Sequence, residues 1–196
     1  SISANGTELS LGNIGELKLS SKDITFVAGS DFSGEFKLGD SIGSGSASVV
    51  AVDFNKAGGA VSFDAKGTDV VTITGSDYND KLLSNINGAI IDGGDGDDTI
   101  TFGGVSASIS VGSGDDKINV TGKDASVSIS DAEGDDSYNI GGEGAHVTIN
   151  DGNGADSLKI TGKVASADVS LSGNDNNAVT IDSAAVGIKA NISVAG

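Results

Sequence analysis

Five aspartates define the chemistry open to this chain: Asp80, Asp98, Asp116, Asp136 and Asp156 stand 18, 18, 20 and 20 residues apart, and Asn176 follows after another 20. Each aspartate sits in a short acidic segment. The segments read Gly75-Ser-Asp-Tyr-Asn-Asp-Lys-Leu, Gly93-Gly-Asp-Gly-Asp-Asp-Thr-Ile, Val111-Gly-Ser-Gly-Asp-Asp-Lys-Ile, Asp131-Ala-Glu-Gly-Asp-Asp-Ser-Tyr and Asp151-Gly-Asn-Gly-Ala-Asp-Ser-Leu. A repeat of this period stacks successive coils, and neighbouring strands lie about 4.8 Å apart. Carboxylates in a column at that spacing repel one another unless a cation lies between the layers. Calcium suits such a column, since it accepts about six to eight oxygen ligands, carboxylates and backbone carbonyls alike, in flexible geometry. Glycine, which tolerates positive φ, lets carbonyls turn toward the ion. With no Cys and a single His, zinc and copper fit poorly, and nothing in the spacing imposes the octahedron that magnesium prefers. The expected cofactor is Ca2+.

The elements that must position these carboxylates follow from the same period. Between the acidic turns lies a second set: Gly103-Gly-Val-Ser-Ala-Ser, Thr121-Gly-Lys-Asp-Ala-Ser, Gly141-Gly-Glu-Gly-Ala-His and Thr161-Gly-Lys-Val-Ala-Ser, each followed by an alternating apolar and polar run. One coil is therefore strand, turn, strand, turn, and stacked coils make two parallel sheets. Ile100, Ile118, Tyr138, Leu158 and Val179 are predicted to form one inward column, and Ile109, Val127, Val147 and Val169 another on the opposite sheet. The predicted fold class is all-β, a right-handed parallel β-roll or β-helix solenoid with an irregular β-rich N-terminal capping region.

Charge and aromatics divide the chain. Residues 1–68 carry 8 acidic residues and 5 Lys, a net −3, whereas the remainder carries 20 acidic residues and 6 Lys, a net −14. Phe26, Phe32, Phe36, Phe54 and Phe63, five of the six Phe, lie in the first part, where they can fill a core that small aliphatics would leave loose. Residues 1–68 are expected to form short strands, near Glu8–Leu11, Glu16–Ser20, Ile24–Val27, Glu35–Leu38, Ser48–Val52 and Ala60–Phe63, that cap the solenoid's open end, with a separate β-sandwich as the rival arrangement. Residues 69–183 form the predicted roll, and 184–196 a C-terminal strand or cap.

Gly93 to Thr101 matches the nonapeptide Gly-Gly-x-Gly-x-Asp-x-apolar-x at every specified position. Residues 111–119 and 151–159 lack only the first Gly, 131–139 lacks the first two, and 75–83 is looser. Over about residues 75–183 the chain thus resembles the repeats-in-toxin proteins, whose nonapeptides build calcium-filled parallel β-rolls. The resemblance implies that Asp80, Asp98, Asp116, Asp136 and Asp156 supply side-chain oxygens. It further implies that carbonyls of Gly93, Asp95, Val111, Ser113, Asp131, Glu133, Asp151 and Asn153 complete the shells, with Asp97, Asp115 and Asp135 facing solvent. In that family both turns of a coil carry the acidic nonapeptide. Here the alternate turns lack its aspartate, so calcium is expected along one edge only, fading at Ser172-Gly-Asn-Asp-Asn-Asn, where an amide replaces the charge.

A net charge of −17 disfavours nucleic acid and anionic membrane surfaces as partners, and no apolar run is long enough to span a bilayer. Enzymatic function is not expected. His146 has no recognisable nucleophile beside it in sequence, and identical carboxylates along an edge describe a metal ladder better than the unique acid and base of a glycosidase. Tyr78 and Tyr138 are expected in turns or core, the Thr-rich strands do not sustain an ice-binding column, and a polysaccharide ligand stays open. The expected function is that of an extracellular, calcium-stabilised structural protein, a subunit or module of a bacterial surface layer, filament or adhesin that forms homo-oligomers or polymers. The alternative is a non-catalytic secretion and folding module of a larger exported enzyme or toxin. In both, Asp98→Ala or Asp116→Ala is expected to weaken cooperative calcium binding more than Asp124→Ala.

Overall fold

The computed structural model describes residues 9–11, 16–17, 24–38, 49–65, 70–161, 166–172, 176–182 and 189–195. Among them only strands and turns occur, and the reason is visible in each short run. Ser126–Ser130 points Val127 and Ile129 inward and three serines outward, the period of two that a strand buried on one face demands. Successive strands alternate between two all-parallel sheets, so that each pairs with the strand two before it and the strand two after it. Ten strands, from Leu9–Leu11 to Lys189–Ala195, make one sheet; nine, from Glu16–Leu17 to Ala178–Ile181, make the other. This is the all-β parallel solenoid expected from the repeat.

The first predicted column is in register: Ile100, Ile118, Tyr138, Leu158 and Val179 stand above one another, and Leu82 extends the column by one coil. The second is two neighbouring columns. Ile109 aligns with Ile129, Ile149 and Val169, whereas Val127 and Val147 align with Ala107 and Ala167. A two-residue offset keeps a side chain on the same face, so alternation alone does not separate these columns, and all four predicted residues are buried.

The compositional boundary near residue 68, itself outside the described residues, does not interrupt the sheets. Val49–Asp53 pairs with Thr72–Thr74, and Val61–Asp64 pairs with Lys81–Ser84. The described strands before the boundary therefore extend the two sheets of the roll and do not form a separate sandwich. Irregularity appears as a register shift at Ile24/Thr25. What changes across the boundary is the filling. Phe26, Phe32, Phe36, Phe54 and Phe63 form a single cluster with ring centroids 5.3–6.1 Å apart, continuous with the aliphatic core that follows. Phe54 touches three of the other rings and is 2 % exposed, so Phe54→Ala should cost about 3–5 kcal/mol. Urea unfolding would show the loss as a lower midpoint.

Candidate metal centre

The acidic turns stack as regularly as the strands they join. Parallel bridges link Ser113 to Glu133 and Glu133 to Asn153, and the Gly96, Gly114 and Gly134 N–H groups donate to the carbonyls of Ser113, Glu133 and Asn153 one coil further on. Such close stacking leaves no room for side chains at some positions. At Gly94, with φ +92, a Cβ would collide with the Ser76 carbonyl oxygen.

In this frame the five repeating aspartates turn inward. Asp98, Asp116, Asp136 and Asp156 are 0–2 % exposed, and Asp80 is 2 % exposed. For the last four, Oδ1 accepts the backbone N–H of the counterpart one coil earlier. Asp98 Oδ1 accepts from Asp80 at 2.8 Å, Asp116 from Asp98 at 2.7 Å, Asp136 from Asp116 at 2.7 Å and Asp156 from Asp136 at 3.1 Å. The chain of contacts ends with Asp156 N–H donating to Asn177 Oδ1 at 2.6 Å. The terminal amide is therefore Asn177 and not Asn176, because the last coil is one residue longer than constant spacing assumes.

The second oxygens carry the chemistry. Oδ2 of Asp98, Asp116, Asp136 and Asp156 is buried without a hydrogen-bond partner. A buried carboxylate oxygen in that condition is costly, and it is relieved by a proton or by a cation. Burial pushes Asp98 and Asp136 up to about 8 and Asp116 and Asp151 up to about 7, with neighbouring carboxylates adding to the rise; a backbone N–H on the first three and the Tyr138 hydroxyl on Asp151 oppose it. Burial likewise raises Asp131 and Asp156.

Asp80 differs from the other four. Its Oδ1 accepts Val61 N–H at 2.7 Å and Ser76 Oγ–H at 2.9 Å, and its Oδ2 accepts Ser76 N–H at 2.6 Å. A serine in the looser first turn thus provides what the other turns lack.

Two positions expected to offer only carbonyls bring in more. The side chains of Asp131 and Asp151 are buried and complete two groups, Asp116–Asp131–Asp136 and Asp136–Asp151–Asp156, whose carboxylate oxygens lie within 4.8 Å of one another. Ligands on opposite sides of one calcium ion, at about 2.4 Å each, stand about 4.8 Å apart, so the groups fit a hard cation with oxygen donors. Tyr138, fully buried in its column, places its hydroxyl 2.7 Å from Asp131 Oδ2 and 2.6 Å from Asp151 Oδ2, and burial pushes its phenol far up.

The other candidate positions sit around these groups. Gly93 and Val111 are buried at the first position of their turns, and Asp95, Ser113, Glu133 and Asn153 are exposed. Asp95 accepts Ser113 N–H and Oγ–H, bonds that hold its carboxyl below the usual range. Asp97, Asp115 and Asp135 face solvent as expected, and Oδ1 of each accepts a backbone N–H from the following coil. Both groups able to hold an ion among the described residues lie on this edge.

On the outer face of the ten-stranded sheet, the structure brings Ser166 Oγ to 2.6 Å from His146 Nδ1, a neighbour the sequence does not reveal. It arises because positions 146 and 166 pair across adjacent strands. The pair is exposed, and no third group is bonded to the ring among the described residues.

No family model matches the chain, and neither a curated protein nor a solved structure matches it significantly.

Proposed function

We propose that this chain is a calcium-binding β-roll of the repeats-in-toxin type that works as a structural module outside the cell. The observation that carries the metal reading is the row of four buried, unpartnered carboxylate oxygens, one per coil and in register. Calcium is favoured because the donors are all oxygen and the turns can add carbonyls in irregular geometry. When bound, the ion supplies positive charge between coils. The chain's own residues do the rest: Oδ1 of Asp98, Asp116, Asp136 and Asp156 locks onto the previous coil, and their unpartnered Oδ2 atoms would hold the cation.

The structural role rests on repetition. From Asp98 to Asp156 each coil turns an aspartate inward at the same place, and such a repeated scaffold suits a stiff rod in a surface layer, filament or adhesin better than a unique reaction centre. Extracellular calcium modules bind at about 0.1–1 mM, so such a chain is loose in the cytosol and compacts outside. The secretion-module alternative shares this folding mechanism and differs in assembly. A calcium titration of the chelator-treated chain, followed by circular dichroism and light scattering in one cuvette, separates them. A transition to β-structure with rising scatter supports the self-assembling surface protein, the same transition without scatter favours the accessory module, and no transition sinks the calcium reading.

A further inference from the structure

We infer that the acidic edge carries two grades of cation site, and that the pair built on Asp131, Asp151 and Tyr138 binds more tightly and fills first. The inference rests on the metal reading above and goes beyond it in assigning this chain's residues unequal roles. The repeat implies equal sites at every acidic turn. The side chains do not provide them.

At the N-terminal end of the ladder, Ser76 closes Asp80 without an ion. Next come Asp98 and Asp116, whose turns have Gly93 and Val111 at the first position and so add no carboxylate there. Further on, Asp131 and Asp151 replace that glycine and turn their carboxyls inward, giving two groups of three that share Asp136. Asp116, Asp136 and Asp156, 0–2 % exposed and each with an unpartnered Oδ2, belong to these groups. Five carboxylates thus surround two neighbouring sites, and two divalent ions would leave a residual charge of only −1.

Tyr138 adds order to charge. Its single hydroxyl lies within hydrogen-bond reach of both Asp131 Oδ2 and Asp151 Oδ2 and shares its one proton between them, linking a carboxyl of one site to a carboxyl of the other. In the folded coil this shared hydroxyl keeps the two carboxyls near one geometry, so less conformational freedom is lost when an ion seats there. Affinity of oxygen-ligand sites rises with the number of charged ligands and with rigidity, so the three-carboxylate pair should bind at least about tenfold more tightly than the Asp98 position.

The phenol also supplies the test, because a tyrosine beside a bound terbium ion sensitises its emission. The chain has one other tyrosine, Tyr78, 46 % exposed on the Asp80 turn. Terbium is titrated into the full-length, chelator-treated chain, with calorimetry of terbium and calcium in parallel. The expected result is tyrosine-sensitised emission that saturates in the first binding phase, survives Tyr78→Phe and disappears in Tyr138→Phe, where calorimetry still detects bound ions. Asp131→Asn with Asp151→Asn should weaken the first phase about tenfold or more and spare the later one, whereas Asp98→Asn should do the reverse. Loss of the first phase in Asp98→Asn, or an unchanged first phase in the double variant, would overturn the two-grade assignment and leave the metal reading standing. A wild-type chain that binds neither ion would overturn both.

Discussion

An Asp136→Asn variant should lose most of its calcium affinity while its metal-free form becomes more stable. Asp136 is the carboxylate common to both three-carboxylate groups, so its loss removes a charge from two sites at once. The expected loss is at least about tenfold in affinity at each, together with loss of cooperativity between them. In the metal-free chain the balance reverses. Oδ1 of Asp136 accepts the Asp116 N–H at 2.7 Å, and the oxygen of an amide side chain at the same position can accept it as well. The buried Oδ2, which has no partner, gives way to an NH2 that can donate to the neighbouring carboxylates. Removing an uncompensated buried charge and adding donors should stabilise the metal-free state by on the order of 1–3 kcal/mol. Urea unfolding with and without calcium reads both signs. A variant destabilised in both conditions would mean that the carboxylate serves packing and not ion binding. The comparison substitution is Asp124→Asn on the opposite edge. Asp124 has φ 52, a conformation that Asn tolerates better than Ala, so the amide variant is the cleaner control.

The period of the aspartates makes the solenoid legible, because a carboxylate recurring once per coil and apolar residues alternating between turns leave few other arrangements. The strands before residue 68 are also legible to within one or two residues at their described ends. Their continuation of the same two sheets is not, since that segment carries no acidic turn to announce the period, and aromatic filling resembles a separate core. The same limit applies to the site. Spacing singles out Asp98, Asp116, Asp136 and Asp156, whereas the family resemblance makes the first turn position a source of carbonyls, which is all that a glycine there can offer. The cue lies in the residue types: aspartate replaces that glycine at 131 and 151, the two turns on either side of the one tyrosine in the inward column. Ser76 gives a similar cue, a hydroxyl in a turn that departs from the repeat, and it closes the Asp80 carboxylate. Departures from a repeat thus mark where the sites differ, while agreement with it marks only the scaffold.

Acidification should replace calcium in holding the roll together. Asp98 and Asp136 are raised to about 8 and Asp116 and Asp151 to about 7, chiefly by burial, against an ordinary value of 3.8. Each carboxyl therefore binds its proton more tightly in the folded chain than in the unfolded one. Between about pH 4 and 8 the folded state holds more protons, and stability falls as the pH rises through that window. Below it both states are protonated and the penalty is absent; above it the penalty is fully present. With four such groups the loss should reach on the order of several kcal/mol, comparable with the net stability of about 5–15 kcal/mol typical of a domain. In chelator, circular dichroism and urea unfolding should thus show a chain that is compact near pH 4.5 and loosened at pH 8. In excess calcium the dependence should flatten, because the cation replaces the proton at the same oxygens. The Asp136→Asn variant should flatten it in chelator too, by removing one of the titrating groups. A metal-free chain whose stability rises from pH 4.5 to 8 would show that these carboxyls are not buried together as the ladder requires, and the ion sites would lose their basis with it.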